Sequence, residues 1–263
     1  MTTIIAIANQ KGGVGKTTTT INLARAAHLR GLETLAIDMD PQGNLTSGLS
    51  EQPLPETVAG VADALDGRAG DSLEEVLVNS VWENVTLAPT VGEALGYVRD
   101  QLVIAGAGRE AKLDAAIDSL ETAFDLILID CAPSLDQLTI NALTAADQVL
   151  VVTHPSQFSS NGLARLLETI DTAKKYYNEK LVIGGVVINH LESNTINDRH
   201  WKLVLEEAAA DRSLRVLTPE IPKRAAIKAA TESQVGLDEW DEPGIRKLQQ
   251  AYSGFLDALV PTT

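Results

Sequence analysis

The sequence predicts a doubly wound α/β fold, a mostly parallel sheet with helices on both faces, as one domain over 1–263. Three observations predict it. Short β-branched apolar runs alternate with helical stretches, the order that builds parallel strands joined by crossover helices. Runs such as Leu126-Ile127-Leu128-Ile129 and Val149-Leu150-Val151-Val152 show no polar alternation, which suits strands buried on both faces. A glycine-rich turn separates the first run from the first helix.

In order, the strands are expected at 3–8, 34–38, 85–88, 126–130, 148–153, 181–189 and 216–217, each a compact apolar run. Helices are expected between them at 17–30, 91–105, 110–123, 135–145, 160–177 and 197–210. Gly31 stands where a C-cap glycine belongs, and Ser134 or Ser160 suits an N-cap. The stretch 52–71, with Pro53, Pro55, Gly60, Gly67 and Gly70, reads as a surface excursion. Neither internal repeats nor a low-complexity linker interrupts this order.

Composition excludes several classes. With 263 residues, 44% hydrophobic and 22% charged, the chain can bury a full core. It has no apolar run of the roughly 18 residues a membrane helix needs. Met1-Thr2-Thr3 leads straight into apolar residues with no basic flank, so no signal peptide is expected. The single cysteine, Cys131, forms no internal disulfide, and a reducing cytosol is the natural compartment. Asn44-Leu45-Thr46 and Asn84-Val85-Thr86 therefore carry no weight as glycosylation sites. Twenty-one basic against 36 acidic residues give −15, so nucleic acid or an anionic membrane can be gripped only through a local basic patch.

The most informative segment is Asn9-Gln10-Lys11-Gly12-Gly13-Val14-Gly15-Lys16-Thr17-Thr18. Glycines let backbone N–H groups turn around phosphate oxygens, and the next helix adds its positive dipole end. Lys16 suits the terminal phosphates and Thr17 suits Mg²⁺. The usual phosphate-loop pattern wants glycine five positions before Gly15, where this chain has Gln10.

Lys11-Gly12-Gly13-Val14-Gly15-Lys16-Thr17-Thr18 resembles the deviant Walker A motif of the ParA/MinD superfamily of dimerising ATPases. Asp38-Met39-Asp40-Pro41-Gln42-Gly43-Asn44 resembles its switch I, and Leu126 through Ser134 its Walker B strand and switch II. With Asn189 and Ile221-Pro222 the resemblance covers essentially the whole chain. The Asp-x-Asp-Pro-Gln-Gly-Asn stretch points to ParA-type partition ATPases, and the fold expected is a P-loop NTPase of the deviant Walker A type.

The resemblance implies roles. Residues 11–18, Lys11, Gly12, Gly13, Val14, Gly15, Lys16, Thr17 and Thr18, cradle ATP, with Lys11 reaching the partner's nucleotide across an ATP-held homodimer. Thr17 and Asp130 hold Mg²⁺. Asp40 orients the attacking water, with Asp38 the runner-up and otherwise a structural or Mg²⁺-linked carboxylate. Asn189 contacts adenine, with Pro222 in the loop under the ring. His28, His154, His190 and His200 lack metal-ligand spacing and read as structural or surface residues, and Cys131 as a small buried side chain. One cysteine is too few for the nitrogenase iron protein or the iron–sulfur carriers.

The resemblance also sets out what the ATP dimer grips. Partition ATPases bind DNA without sequence preference and are released when a ParB-like centromere-binding protein stimulates hydrolysis. Lys223, Arg224 and Lys228 form the expected DNA patch, Arg224 and Lys228 sharing a helix face, with Lys174, Lys175, Arg199 and Lys202 as possible additions. A cytoplasmic, nucleoid-associated protein follows. ParA-like ATPases also position carboxysomes or chemoreceptor clusters through a cargo adaptor, and that alternative stays open. A small-molecule synthetase or kinase is opposed by switch I. A MinD-like membrane helix at 245–260 is opposed by its few basic residues, so packing on the domain is expected there and no membrane partner. Only a few residues precede the first strand, so neither an N-terminal helix-turn-helix nor autoregulation by specific DNA binding is expected.

Overall fold

A computed structural model describes residues 2–66, 71–192, 195–242 and 244–260. Eight strands form one sheet: β1 (Thr3–Ala8), β2 (Thr34–Met39), β3 (Val78–Asn79), β4 (Val85–Ala88), β5 (Leu126–Cys131), β6 (Gln148–Thr153), β7 (Val182–Ile188) and β8 (Val216–Leu217). Their order is β3-β4-β2-β5-β1-β6-β7-β8, and every pairing is parallel except the edge pair β3–β4. All seven expected strands are present, with ends moved by one residue at most.

Alternate residues of the strands feed two cores. Ile5 and Ile7 of β1 enter one, Ala6 and Ala8 the other. Leu126 and Leu128 of β5 likewise part from Ile127 and Ile129. This two-sided burial is why the strands read as unbroken apolar runs. Covering one face are α1 (Lys16–Leu29), α9 (Ala225–Glu232) and α10 (Arg246–Leu259). Across the other lie α3 (Val61–Asp66), α4 (Ala94–Ile104), α5 (Lys112–Asp118), α6 (Gln137–Ala145), α7 (Gln157–Tyr176) and α8 (Ile196–Asp211). A short α2 (Asn44–Leu49) follows β2.

Of the expected caps, Gly31 holds and the two serines do not. Gly31 (φ +71°) closes α1, its N–H reaching the His28 carbonyl while that of Leu32 reaches Ala27. The N-cap of α6 is Asp136 and not Ser134, which instead donates its hydroxyl to Asp136. Ser160 lies inside α7, which begins three residues earlier than expected. The helix expected at 110–123 is α5 preceded by a single 3₁₀ turn, Arg109–Ala111. It stops at Asp118, and beyond it the backbone N–H and hydroxyl of Thr122 turn to Glu74. Within the presumed excursion, α3 buries Val61, Ala62 and Leu65, so that part is packed core; Gly67 and Gly70 lie outside the described residues.

On α10, Tyr252, Phe255, Leu256 and Leu259 are buried against the α1 side of the sheet. Each such burial contributes about 2 kcal/mol, so the apolar face of this helix is spent on the domain. Among the described residues no helix is long and apolar enough to cross a membrane.

Candidate active site

β1 sits where the strand order reverses, flanked by β5 and β6. In open α/β sheets the crevice beyond the carboxyl ends of strands at such a point receives ligands. Four strands deliver chemistry there: β1 the glycine loop, β2 Asp38 and Asp40, β5 Asp130, and β7 Asn189.

The loop is built to leave donors unused. Gly13 (φ +71°) and Gly15 (φ +92°) adopt left-handed backbone, and Gly15 is the N-cap of α1 with no side-chain cap. The first turn of α1 contains no acidic residue, so its N–H groups and dipole end suit an anion. Two amides brace the loop from behind. Asn9 donates to the Val152 carbonyl (2.6 Å) and accepts from the Lys11 N–H (3.0 Å). Asn189 donates to the Val14 carbonyl (2.8 Å). Gly15 and Asn189 touch so closely that any Cβ at position 15 would overlap the Asn189 amide.

Lys16 is 6% exposed, with Nζ 3.4 Å from the Lys11 carbonyl. Burial lowers its pKa, opposed by the nearby Asp130, Cys131 and Asp40. Thr17 donates to Asp130 at 2.6 Å, and Thr20 to its other oxygen at 3.1 Å. Asp130 is pushed up to about 6, chiefly by burial, against the pull of these hydroxyls and of Lys16. In register opposite it lies Asp38, pushed up to about 7 by burial and then by Asp130. Asp38 accepts from the Thr46 N–H (2.8 Å) and hydroxyl (2.7 Å) and from the Asp40 N–H (3.2 Å), so it anchors α2. Thr90 closes this knot, its hydroxyl on the Asp38 carbonyl and its N–H on the Thr46 hydroxyl.

Thr17 and Asp130 converge as hard oxygen donors at the mouth of the loop. That set suits Mg²⁺, which keeps several waters and needs few protein ligands. The convergence of buried carboxylates fits a cation too, since one beside them would favour their charged forms. Among the described residues no group of three or more His, Cys, Asp or Glu side chains forms a separate metal cluster.

A cavity of about 630 Å³ opens over the loop. Gly12, Gly13, Gly15, Lys16, Thr17 and Thr18 line it, with Asp40 and Gln42 at one side. Asp40 is 7% exposed and accepts from the Gln42 N–H at 3.0 Å. Asn189 and Pro222 do not line it. Asn189 is buried behind the loop, its amide oxygen accepting from the His190 N–H, and Pro222 bridges to Leu191. Wall residues the sequence reading missed are His190, Ser47 and Thr231. His190 holds a left-handed φ of +53°, uncommon outside glycine, and this turn directly after Asn189 is what aims it at the cavity. Of the four histidines read as structural or surface residues, His190 lines the cavity and the His154 ring meets Lys11. His28 stacks on Trp82 and His200 is exposed against Trp201, while Cys131 is fully buried as expected.

The basic stretch divides. Arg224 is extended (φ −135°, ψ 126°) and α9 begins at Ala225, so Arg224 and Lys228 do not share a helix face. The cause lies upstream: the Lys223 N–H pairs with the Leu191 carbonyl, holding the chain extended up to the helix. Lys223 and Arg224 are exposed, Lys223 beside Glu192. Lys228, paired with Glu232 at 3.3 Å, lines the nucleotide-sized cavity instead of standing apart from it. Lys202 is engaged with Glu206 and Glu220.

A strand–glycine loop–helix with a buried lysine and a Thr–Asp pair at the mouth of one crevice defines a P-loop nucleotide site. Comparisons with known proteins agree. Residues 2–183 match the family model described as "AAA domain". The chromosome partitioning protein ParA of Myxococcus xanthus is 36% identical over 232 residues, covering 85% of this chain and 76% of that protein. A Mycobacterium smegmatis protein named cobyrinic acid a,c-diamide synthase, solved with an ATP analog and magnesium, superposes with TM-score 0.76 at 35% identity over 88% of this chain and 91% of that one. Cyanothece McdA, solved in complex with ATP, gives TM-score 0.88 at 25% identity over 100% and 98%. The chain belongs to the ParA-type partition ATPases of the ParA/MinD superfamily.

Proposed function

We propose that this protein is an ATP-driven DNA partition switch: it dimerises around ATP, grips DNA without sequence preference as the dimer, and lets go when a ParB-like partner stimulates hydrolysis. Its membership of the family makes it a ParA-like positioning ATPase that uses ATP and Mg²⁺. The finer reading rests on one observation above others: the basic stretch leads directly into the helix that forms part of the cavity wall. Lys228 and Thr231 of α9 face the phosphate-loop cavity, while Lys223 and Arg224 stand exposed at the N-terminal approach to the same helix. Nucleotide seated in the cavity therefore bears on the helix that the proposed DNA patch leads into.

Hydrolysis here is positioning and charge neutralisation. Lys16 and the loop N–H groups hold the β- and γ-phosphates. Thr17 and Asp130 would hold Mg²⁺, which when bound would offset the phosphate charge. Asp38 fixes α2 through Thr46 and so sets where Asp40 stands, and Asp40 orients the attacking water. Lys11 serves the partner's nucleotide across the dimer. Unstimulated turnover is slow, since a switch must outlast its search, and nucleoid DNA in the cytoplasm is the surface searched.

The likeness to McdA favours one second reading, a ParA-like ATPase that positions another cargo through an adaptor. Both readings share the DNA-bound ATP dimer. Asp40→Ala tests it: the variant is expected to bind ATP and accumulate as a DNA-bound dimer with hydrolysis lost. Normal turnover by Asp40→Ala contradicts the role given to Asp40.

A further inference from the structure

The ammonium of Lys11 is not loose. Its Nζ lies 3.0 Å from His154 Nε2 and 3.3 Å from the Ser156 hydroxyl, both just beyond the end of β6. Its backbone N–H is fixed as well, on the Asn9 amide that itself grips the Val152 carbonyl of the same strand. Lysine ammonium only donates, so Nε2 must accept, and the half-buried imidazole is neutral with its proton on Nδ1. That Nδ1 is buried with no hydrogen-bond partner among the described residues. The ring is therefore not held by a structural hydrogen bond through Nδ1, and the contact its geometry serves is the one to Lys11. Burial, then Lys11, then His190 keep it below the usual imidazole range, with Asp198 opposing.

We infer that His154 is a positioning residue that docks Lys11 within its own subunit and so sets how readily the ATP dimer forms. The inference rests on the proposed transfer of Lys11 to the partner's nucleotide. A lysine in this dock is held against the residues that follow its own β6, so crossing to a second subunit requires breaking the Nζ–Nε2 and Nζ–Oγ contacts. The dock stabilises the monomer against the dimer. Its loss should favour association without altering chemistry inside the assembled dimer, because there Lys11 has already left.

The test measures the monomer–dimer dissociation constant by sedimentation with Mg²⁺ and a slowly hydrolysed ATP analogue, for wild type, His154→Leu and His154→Asn. Leucine keeps much of the volume but cannot accept, whereas the asparagine amide oxygen can. His154→Leu is expected to tighten the dimer by at least about tenfold, the scale of one hydrogen bond to a charged group, since each of the two subunits gives one up. His154→Asn should return most of the way to wild type. Single-turnover hydrolysis in preformed dimer should stay within about twofold of wild type for both variants. A merely structural histidine would instead weaken the dimer and slow that rate. If wild type dimerises and His154→Leu leaves its constant unchanged or weaker, the dock is overturned and the dimer reading stands. If wild type stays monomeric with the nucleotide, the dimer reading falls and the dock with it.

Discussion

Replacing Gly15 by alanine tests the phosphate loop at its tightest point. Two costs follow from the structure. The backbone sits at φ +92°, where an L side chain costs roughly 1–2 kcal/mol. The new methyl would also overlap the Asn189 amide, which must swing away and release the Val14 carbonyl, a buried bond whose loss costs roughly 1–3 kcal/mol. The total is about 2–5 kcal/mol. If the loop keeps its shape, this appears as lost folding stability, on the order of 5–15 °C in melting temperature for a chain of this size. If the loop relaxes, it appears as lost nucleotide affinity, tenfold for each 1.4 kcal/mol or so. Calorimetry of the free protein and titration with a fluorescent ATP analogue together capture both. Because positions 15 and 189 are in contact, Asn189→Ala should cost clearly less in the Gly15→Ala background than alone. A Gly15→Ala protein that melts within about a degree of wild type and binds nucleotide within about twofold refutes the reasoning.

Further outcomes follow from the same geometry. Asp38 and Asp130 have folded-state pKa values raised to about 7 and about 6, so the folded chain holds protons there that the unfolded chain has lost. Their contribution to stability is full below about pH 4 and is lost as pH rises through 6 to 7. In EDTA, wild type should lose on the order of 2–4 kcal/mol more than Asp38→Asn between pH 5 and 8; parallel pH–stability curves would sink this. Lys228→Ala should weaken nucleotide binding, since Lys228 lines the cavity, whereas Lys223→Ala with Arg224→Ala should leave it intact. The latter pair should instead weaken DNA binding for all sequences and lower the salt slope by about 1 per cation. The reverse pattern in the two titrations would reassign the patch.

What the sequence made legible was local or two-sided. The strands stood out because both faces are buried, and the Gly-Lys-Thr turn because its parts lie within ten residues. Asp130 followed from its place at the end of an apolar strand. Short elements did not stand out: α2 has six residues with Ser47 and Gly48 among them, and β3 has two. Long-range partnerships were also hidden. Asn189 braces Val14 across 175 residues and Lys11 meets His154 across 143, and no spacing rule announces either. Arg224 and Lys228 misled because four-residue spacing implies one helix face only if the helix already contains both, and a bridge at Leu191–Pro222 keeps Arg224 outside it.

The central claim is that ATP switches this protein onto DNA. Its most direct test is co-sedimentation of the purified protein with arbitrary duplex DNA, with Mg²⁺ and ATP, ADP or no nucleotide, and with anionic liposomes in parallel. The account predicts DNA binding with ATP only, reversed by salt and reduced in the Lys223/Arg224 variants. Binding that ignores nucleotide, or that goes to lipid and not to DNA, contradicts it.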